Sequence, residues 1–224
     1  MRSLWRTVDR PTRPVITALC VAVAVAGSSY GATAVAAGLP LWFPVALGVL
    51  VLAGGSEFLF LGIVVAGGSP IAALLAGLLV NVRHIAYGLS VPDVFGTGWR
   101  RVRRAHLLND ETVAVALGQR TATQSRAAYL ACGLGILAAW PAGTFLGGLA
   151  GSAIPDPGAF GVDAVFPAVL LALIMPALSA PAVRRGALAG AALALAATPF
   201  LPPGLPILLA TAGVVLTIPR TGRR

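Results

Sequence analysis

Apolar residues run along this chain in long blocks separated by short polar or arginine-rich segments, not in the stripes of a water-facing fold. Crossing about 30 Å of hydrocarbon takes roughly 20 apolar residues in a helix. Runs of that order extend from about Pro14 to Ala37, Phe43 to Val65, Pro70 to Val91, Ala127 to Ala150 and Phe160 to Ala180. Two shorter runs, Gly186 to Phe200 and Pro206 to Ile218, flank Leu201-Pro202-Pro203-Gly204, and a short apolar piece spans Thr112 to Leu117. The pattern predicts an all-α, polytopic transmembrane helical bundle of about six to eight segments. It is read as one domain over residues 1–224. Residues 14–93 are expected to carry the site, 94–111 to form an arginine-rich cytoplasmic loop, and 112–218 to supply the second-half spans.

Composition supports this reading. The 224 residues are 58% hydrophobic and only 10% charged, with mean hydropathy +0.89. Soluble domains run near a quarter charged, so this chain cannot cover a water-facing surface, which excludes a soluble enzyme and a disordered binding module. The net charge of +9 would suggest nucleic acid in a soluble protein, but its placement says otherwise. All sixteen basic residues are Arg, and all but Arg83 lie outside the apolar runs: Arg2, Arg6, Arg10 and Arg13 at the start, Arg100, Arg101, Arg103 and Arg104 in the central loop, Arg120 and Arg126 after it, then Arg184-Arg185 and the C-terminal group. That is the positive-inside pattern of a multi-pass plasma (inner) membrane protein with a cytoplasmic N-terminus, and no nucleic-acid partner is expected. The opening resembles a secretory signal, with Ala34-Val35-Ala36 as a cleavage site. The apolar stretch, however, continues almost without pause into two further spans, so the segment is expected to be retained.

Topology exposes a conflict. The N-terminal Arg group and the central Arg loop both belong inside, yet three apolar runs lie between them. One run is therefore expected to be broken or re-entrant, or Thr112–Leu117 to complete a split span. Irregular backbone at membrane depth is tolerated only where protein or a water-filled cavity surrounds it, and transporters build their sites at such interruptions. Small residues at four-residue spacing, Gly27 with Gly31, Gly143 with Gly147 and Gly151, and Gly186 with Gly190, let helix backbones approach closely. They serve internal packing or a docking face for another subunit.

Charged side chains inside a bilayer need a partner or an aqueous path. Glu57 stands in Ala53-Gly54-Gly55-Ser56-Glu57-Phe58 within the second run, either paired with Arg83 or serving as a substrate-amine or proton site. Asn81, Arg83, His84 and Tyr87 fall in the third run. At about 100° per residue, Asn81 and His84 share one side while Arg83 and Tyr87 point roughly opposite, so the helix must be enclosed or break near Asn81. Arg83 suits a carboxylate, and His84 a proton or a structural bond. Ser29 and Tyr30, in Gly27-Ser28-Ser29-Tyr30-Gly31, either bond back to their own helix or mark unwound backbone. Asp110-Glu111 makes a good helix N-terminus, and Asp163 opens the fifth long run; both form a second tier of candidates. Cys20 and Cys132 read as small buried hydrophobes without metal-ligand spacing, and no nucleophile–base arrangement is legible. No cofactor, metal or enzymatic activity is expected.

These residues resemble the AzlC family, the large subunits of LIV-E type branched-chain amino-acid exporters. The resemblance rests on Tyr30-Gly31 and Ala37-Gly38-Leu39, on Ala53–Phe58, and on Asn81-Val82-Arg83-His84 with Tyr87-Gly88. It continues at Asp110-Glu111 and at Gly161-Val162-Asp163 with Phe166. It departs at Glu57, where the family pattern carries Gln, which gives this chain an extra titratable group. The resemblance implies a secondary transporter exporting Leu, Ile, Val and Met, driven by the proton motive force and acting with a small AzlD-type membrane subunit. Arg83 would then meet the substrate carboxylate and Glu57 the amine. The competing expectation is a membrane scaffold or assembly subunit whose buried charges only pair helices.

Overall fold

A computed structural model describes residues 4–153, 171, 175, 177–202 and 204–217. Among them the chain is helical and no strand occurs. The helices are α1 (Leu4–Thr7), α2 (Thr12–Ala36), α3 (Trp42–Leu50), α4 (Gly54–Val65), α5 (Pro70–Asn81), α6 (Arg83–Ser90), α7 (Trp99–Ala105), α8 (Asp110–Leu117), α9 (Ala122–Ala153), α10 (Pro181–Ala197) and α11 (Leu205–Ala210). Three helical stretches are long and apolar enough to cross a membrane: Thr12–Ala36, Pro70–Ser90 and Ala122–Ser152. At 1.5 Å per residue the shortest of these reaches about 32 Å, enough for the hydrocarbon core. The fifth apolar run of the sequence, with Asp163, lies almost wholly outside the described residues.

The helices gather into two compact units, one from Met1–Glu57 with Val80–Asp163 and the other from Phe58–Leu79 with Ala164–Arg224. The first is organised by α2 against α9. Glycine makes this contact possible. A Cβ on Gly27 would lie 2.7 Å from the Trp140 carbonyl oxygen, and one on Gly151 would lie 2.9 Å from Ala32 Cα. A Cβ on Gly31, Gly143 or Gly147 would collide with backbone of the facing helix. The four-residue glycine spacing of both helices is thus consumed in internal packing. In the second unit Gly190 and Gly213 bring α10 and the 3-10 turn Thr211–Thr217 together in the same way, and Ile63, Ala73 and Ala76 form a small core.

The break anticipated in the first half lies in the second apolar run. Helix α3 is about 14 Å long and α4 about 18 Å, each too short to cross the hydrocarbon core by itself. Between them, residues 51–53 leave the helix, and Leu52 takes φ 51°, the left-handed region, while its side chain stays buried. A non-glycine residue held there costs about 1–3 kcal/mol and persists only where its surroundings over-determine it.

The third run is interrupted more gently, by one turn residue, Val82, between α5 and α6. The Ile85 N–H reaches back to the Val82 carbonyl at 3.0 Å, a tightened turn. The run thus breaks next to Asn81, the second of the two alternatives its polar pattern left. Val82, Ile85 and Leu89 are exposed as a stripe at three- and four-residue spacing, with Asn81, Arg83, His84 and Tyr87 half-buried beside it.

The expected cytoplasmic loop carries structure of its own: a 3-10 turn at Pro92–Val94, then α7. Arg104 donates to the Val94 carbonyl at 2.9 Å, and the Tyr129 hydroxyl donates to the Arg104 carbonyl at 2.6 Å.

Candidate functional site

The backbone break between α3 and α4 is held by side chains that converge on Ala53. Glu57 reaches back one turn, so that its Oε1 accepts the Ala53 N–H at 2.9 Å. The Ser56 hydroxyl donates to the Ala53 carbonyl at 2.8 Å. The Glu57 carboxylate thus gives the Ala53 N–H, at the start of α4, a partner that no helix carbonyl supplies. Glu57 Oε2 accepts the indole N–H of Trp140 at 3.0 Å. Glu57 is 2% exposed, and each of its oxygens accepts from one N–H, the arrangement an acceptor-only carboxylate satisfies best.

Trp140 joins three elements at this point. Its ring stacks on Tyr30 of α2, centroids 5.5 Å apart and planes 19° from parallel. A Cβ at Gly48 of α3 would lie 2.9 Å from Trp140 Cδ1, and one at Gly54 of α4 would lie 3.0 Å from Trp140 Cη2. Both half-helices therefore need glycine to seat the indole. Tyr30 is buried, within electrostatic reach of Glu57. The helix α2 is continuous through Ser29 and Tyr30, so the unwound alternative does not hold there. The Ser29 hydroxyl is buried without a partner, while Ser28 and Thr33 bond back to carbonyls four residues earlier.

The third run sends its two polar sides to two neighbours. On one side the Asn81 amide donates to Ser56 Oγ at 3.0 Å, extending the network around the break. His84 Nδ1 lies 3.0 Å from the Asn81 carbonyl. A carbonyl only accepts, so Nδ1 carries the proton and caps the acceptor freed by the turn at Val82. On the other side Arg83 Nη1 pairs with Asp110 Oδ2 at 2.7 Å, across to the first turn of α8. Tyr87 and Glu111 lie within electrostatic reach of this pair. The Arg83–Glu57 pairing considered from sequence is thereby corrected: Glu57 has two N–H donors, and Arg83 has Asp110. Helix α8 begins as its sequence suggests, with Asn109 as cap and Thr112 closing a reciprocal capping box.

Two buried polar atoms of the Arg83–Asp110 pair have no partner, Arg83 Nε and Asp110 Oδ1; Asn81 Oδ1, on the other side of the run, has none either. The side chains of Arg83 and Asp110 are 35% and 41% exposed. An incompletely satisfied, two-signed cluster beside a helix interruption has capacity for a polar ligand.

Two residues escaped the sequence reading. Trp140 was signalled by Trp-Pro in mid-run, since a buried indole N–H needs an acceptor. His106, from the arginine-rich loop, bonds through Nε2 to the Val49 carbonyl at 2.8 Å, where α3 approaches the break.

Comparison with known proteins decides the family. The family model described as AzlC protein matches residues 18–154. The chain belongs to the AzlC family. The Bacillus subtilis (strain 168) branched-chain amino acid transport protein AzlC is 25% identical over 173 residues, covering 76% of this chain and 68% of that protein. An uncharacterized membrane protein of Haemophilus influenzae is 36% identical over 70 residues, 31% of this chain and 29% of that relative. Another, of Helicobacter pylori, is 32% identical over 90 residues, 40% of each. No solved structure matches. The family match covers the α2–α9 pair, the α3–α4 break, Asn81–Tyr87 and Asp110-Glu111.

Proposed function

We propose that this AzlC-family chain is a membrane transporter, not an enzyme, and that it exports branched-chain amino acids across the plasma membrane. The observation that carries the reading is the two-signed polar cluster beside two helix interruptions, Leu52 and Val82, in a chain whose Bacillus subtilis relative is named a branched-chain amino acid transport protein. Discontinuous helices expose backbone and polar side chains to a substrate at depths where a regular helix cannot.

Proton coupling centres on Glu57. As a carboxylate it accepts both the Ala53 and the Trp140 N–H. A proton on either oxygen sets a donor against a donor, weakens one of those bonds and loosens the break. Protonation thereby acts on the backbone that separates α3 from α4. A zwitterion carries no net charge, so its movement draws nothing from the membrane potential unless an ion accompanies it; one proton supplies about 2.3 kcal/mol per 100 mV. A small AzlD-type membrane subunit completes the transporter.

The test is flux of labelled leucine in proteoliposomes containing the chain with an AzlD-type small subunit, with and without an imposed pH gradient. The expected result is gradient-driven leucine movement, reduced at least tenfold by Arg83→Ala with insertion intact. In Glu57→Gln, flux is expected to persist but to lose its dependence on pH. Flux insensitive to the gradient in the parent protein would exclude proton coupling, and absence of amino-acid flux would exclude the transport reading.

A further inference from the structure

We propose that the Arg83–Asp110 ion pair is the head-group site of the transported amino acid, opened by exchange: the substrate's α-carboxylate takes Arg83 and its α-ammonium takes Asp110. The inference rests on the transport reading above and replaces Glu57 with Asp110 as the ammonium partner.

Four observations lead to it. Glu57 is enclosed and both its oxygens already accept strong donors, so an ammonium group there would have to displace Trp140 and undo the cap at Ala53. Asp110, by contrast, keeps Oδ1 without any partner while Oδ2 holds Arg83. Arg83 keeps Nε free in the same way. Finally, the two charged side chains are each more than a third exposed, so the pair is reachable without unfolding the break.

The chemistry of the exchange gives selectivity. Removing one partner of an ion pair leaves the other charge uncompensated. A ligand bearing a carboxylate alone satisfies Arg83 and strands Asp110; one bearing an amine alone does the reverse. An α-amino acid supplies both charges on one α-carbon and restores two charge-assisted contacts for the one it breaks. Net charge in the cluster is unchanged throughout. The site therefore demands a free α-carboxylate and a free α-ammonium together. The guanidinium retains additional N–H groups for bidentate contact with the carboxylate.

Equilibrium binding of labelled leucine to the detergent-solubilised complex, competed by the side-chain-matched acid 4-methylpentanoate and by 3-methylbutylamine, tests this on the unaltered protein. Each competitor is expected to be at least 100-fold weaker than leucine. Asp110→Asn and Arg83→Gln are each expected to weaken leucine at least tenfold. Leucine binding unchanged in Asp110→Asn, or equal competition by the acid or the amine, would overturn the head-group assignment while leaving branched-chain transport standing. Preference for a different amino acid, still lost in Asp110→Asn and Arg83→Gln, would support the head-group site and overturn the branched-chain reading. Binding of no amino acid by the unaltered complex would overturn both.

Discussion

Glu57 and Trp140 form a contact in which each supplies what the other lacks in an apolar surrounding. The indole N–H needs an acceptor, and the carboxylate needs donors on both oxygens. Trp140→Phe keeps an aromatic ring against Tyr30 but removes the donor and part of the bulk that Gly48 and Gly54 seat. The expected cost is about 1–3 kcal/mol, the penalty for an unsatisfied buried polar group, seen as a lower melting temperature of the purified protein. Combining it with Glu57→Gln should cost less than the sum of the two, with a coupling above about 0.5 kcal/mol; strict additivity would contradict the contact. Glu57 was legible in the sequence because a carboxylate among Gly and Ser in an apolar run is expensive. Its partner was not, since the sequence offers Arg83 as a chemically reasonable mate 26 residues away while Trp140 lies 83 residues on. Charge complementarity alone favoured the wrong pair. Asp110 satisfied Arg83 instead, from a position that also read as an ordinary helix start.

At the scale of elements, glycine decides how closely α2 and α9 approach. The three facing glycines of α9 and the two of α2 leave no room for a methyl group at Gly31, Gly143 or Gly147. Gly147→Leu should therefore separate the helices or prevent assembly, with a loss of at least about 1–3 kcal/mol from overpacking. Gly38 is a fitting control: it has φ +88° but open space around it, so Gly38→Ala carries only backbone strain of about 1 kcal/mol. Comparing thermal unfolding and membrane yield of the two variants checks this; equal tolerance would contradict the packing. The four-residue spacing was readable from the chain because its physical meaning is local. The position of the break was only half readable. Charge topology required an interruption somewhere before the Arg loop, but the residue that carries it, Leu52, has no turn signature of its own. The left-handed backbone there is imposed by tertiary contacts around Ala53, namely Ser56, Glu57 and Trp140.

For the whole molecule, the arginine distribution predicts that the N-terminus and the α7 segment, with Arg100, Arg101, Arg103 and Arg104, face the cytoplasm. Single cysteines introduced before Thr12 and at Thr97, in a background lacking Cys20 and Cys132, should resist an impermeant maleimide in intact cells and react in inverted vesicles. Labelling of either from outside would contradict that orientation. The all-helical, membrane-spanning character was legible from run length alone, since hydrocarbon thickness sets the length of a spanning helix. The partition of polar residues between two neighbours, α4 for Asn81 and α8 for Arg83, was not, because it depends on which helices lie adjacent. The central claim joins these scales: interruptions in two helices create a polar cluster that binds an aliphatic amino acid. It is tested most directly by the melting temperature of the purified complex with and without millimolar leucine, isoleucine, valine or methionine, and with serine as a polar control. At 100 times its dissociation constant a ligand bound only by the folded state adds about 2.7 kcal/mol. The account predicts a raised melting temperature with the aliphatic amino acids, no rise with serine, and loss of the response in Arg83→Ala. An equal response in Arg83→Ala, or none to any aliphatic amino acid in the folded complex, would contradict it.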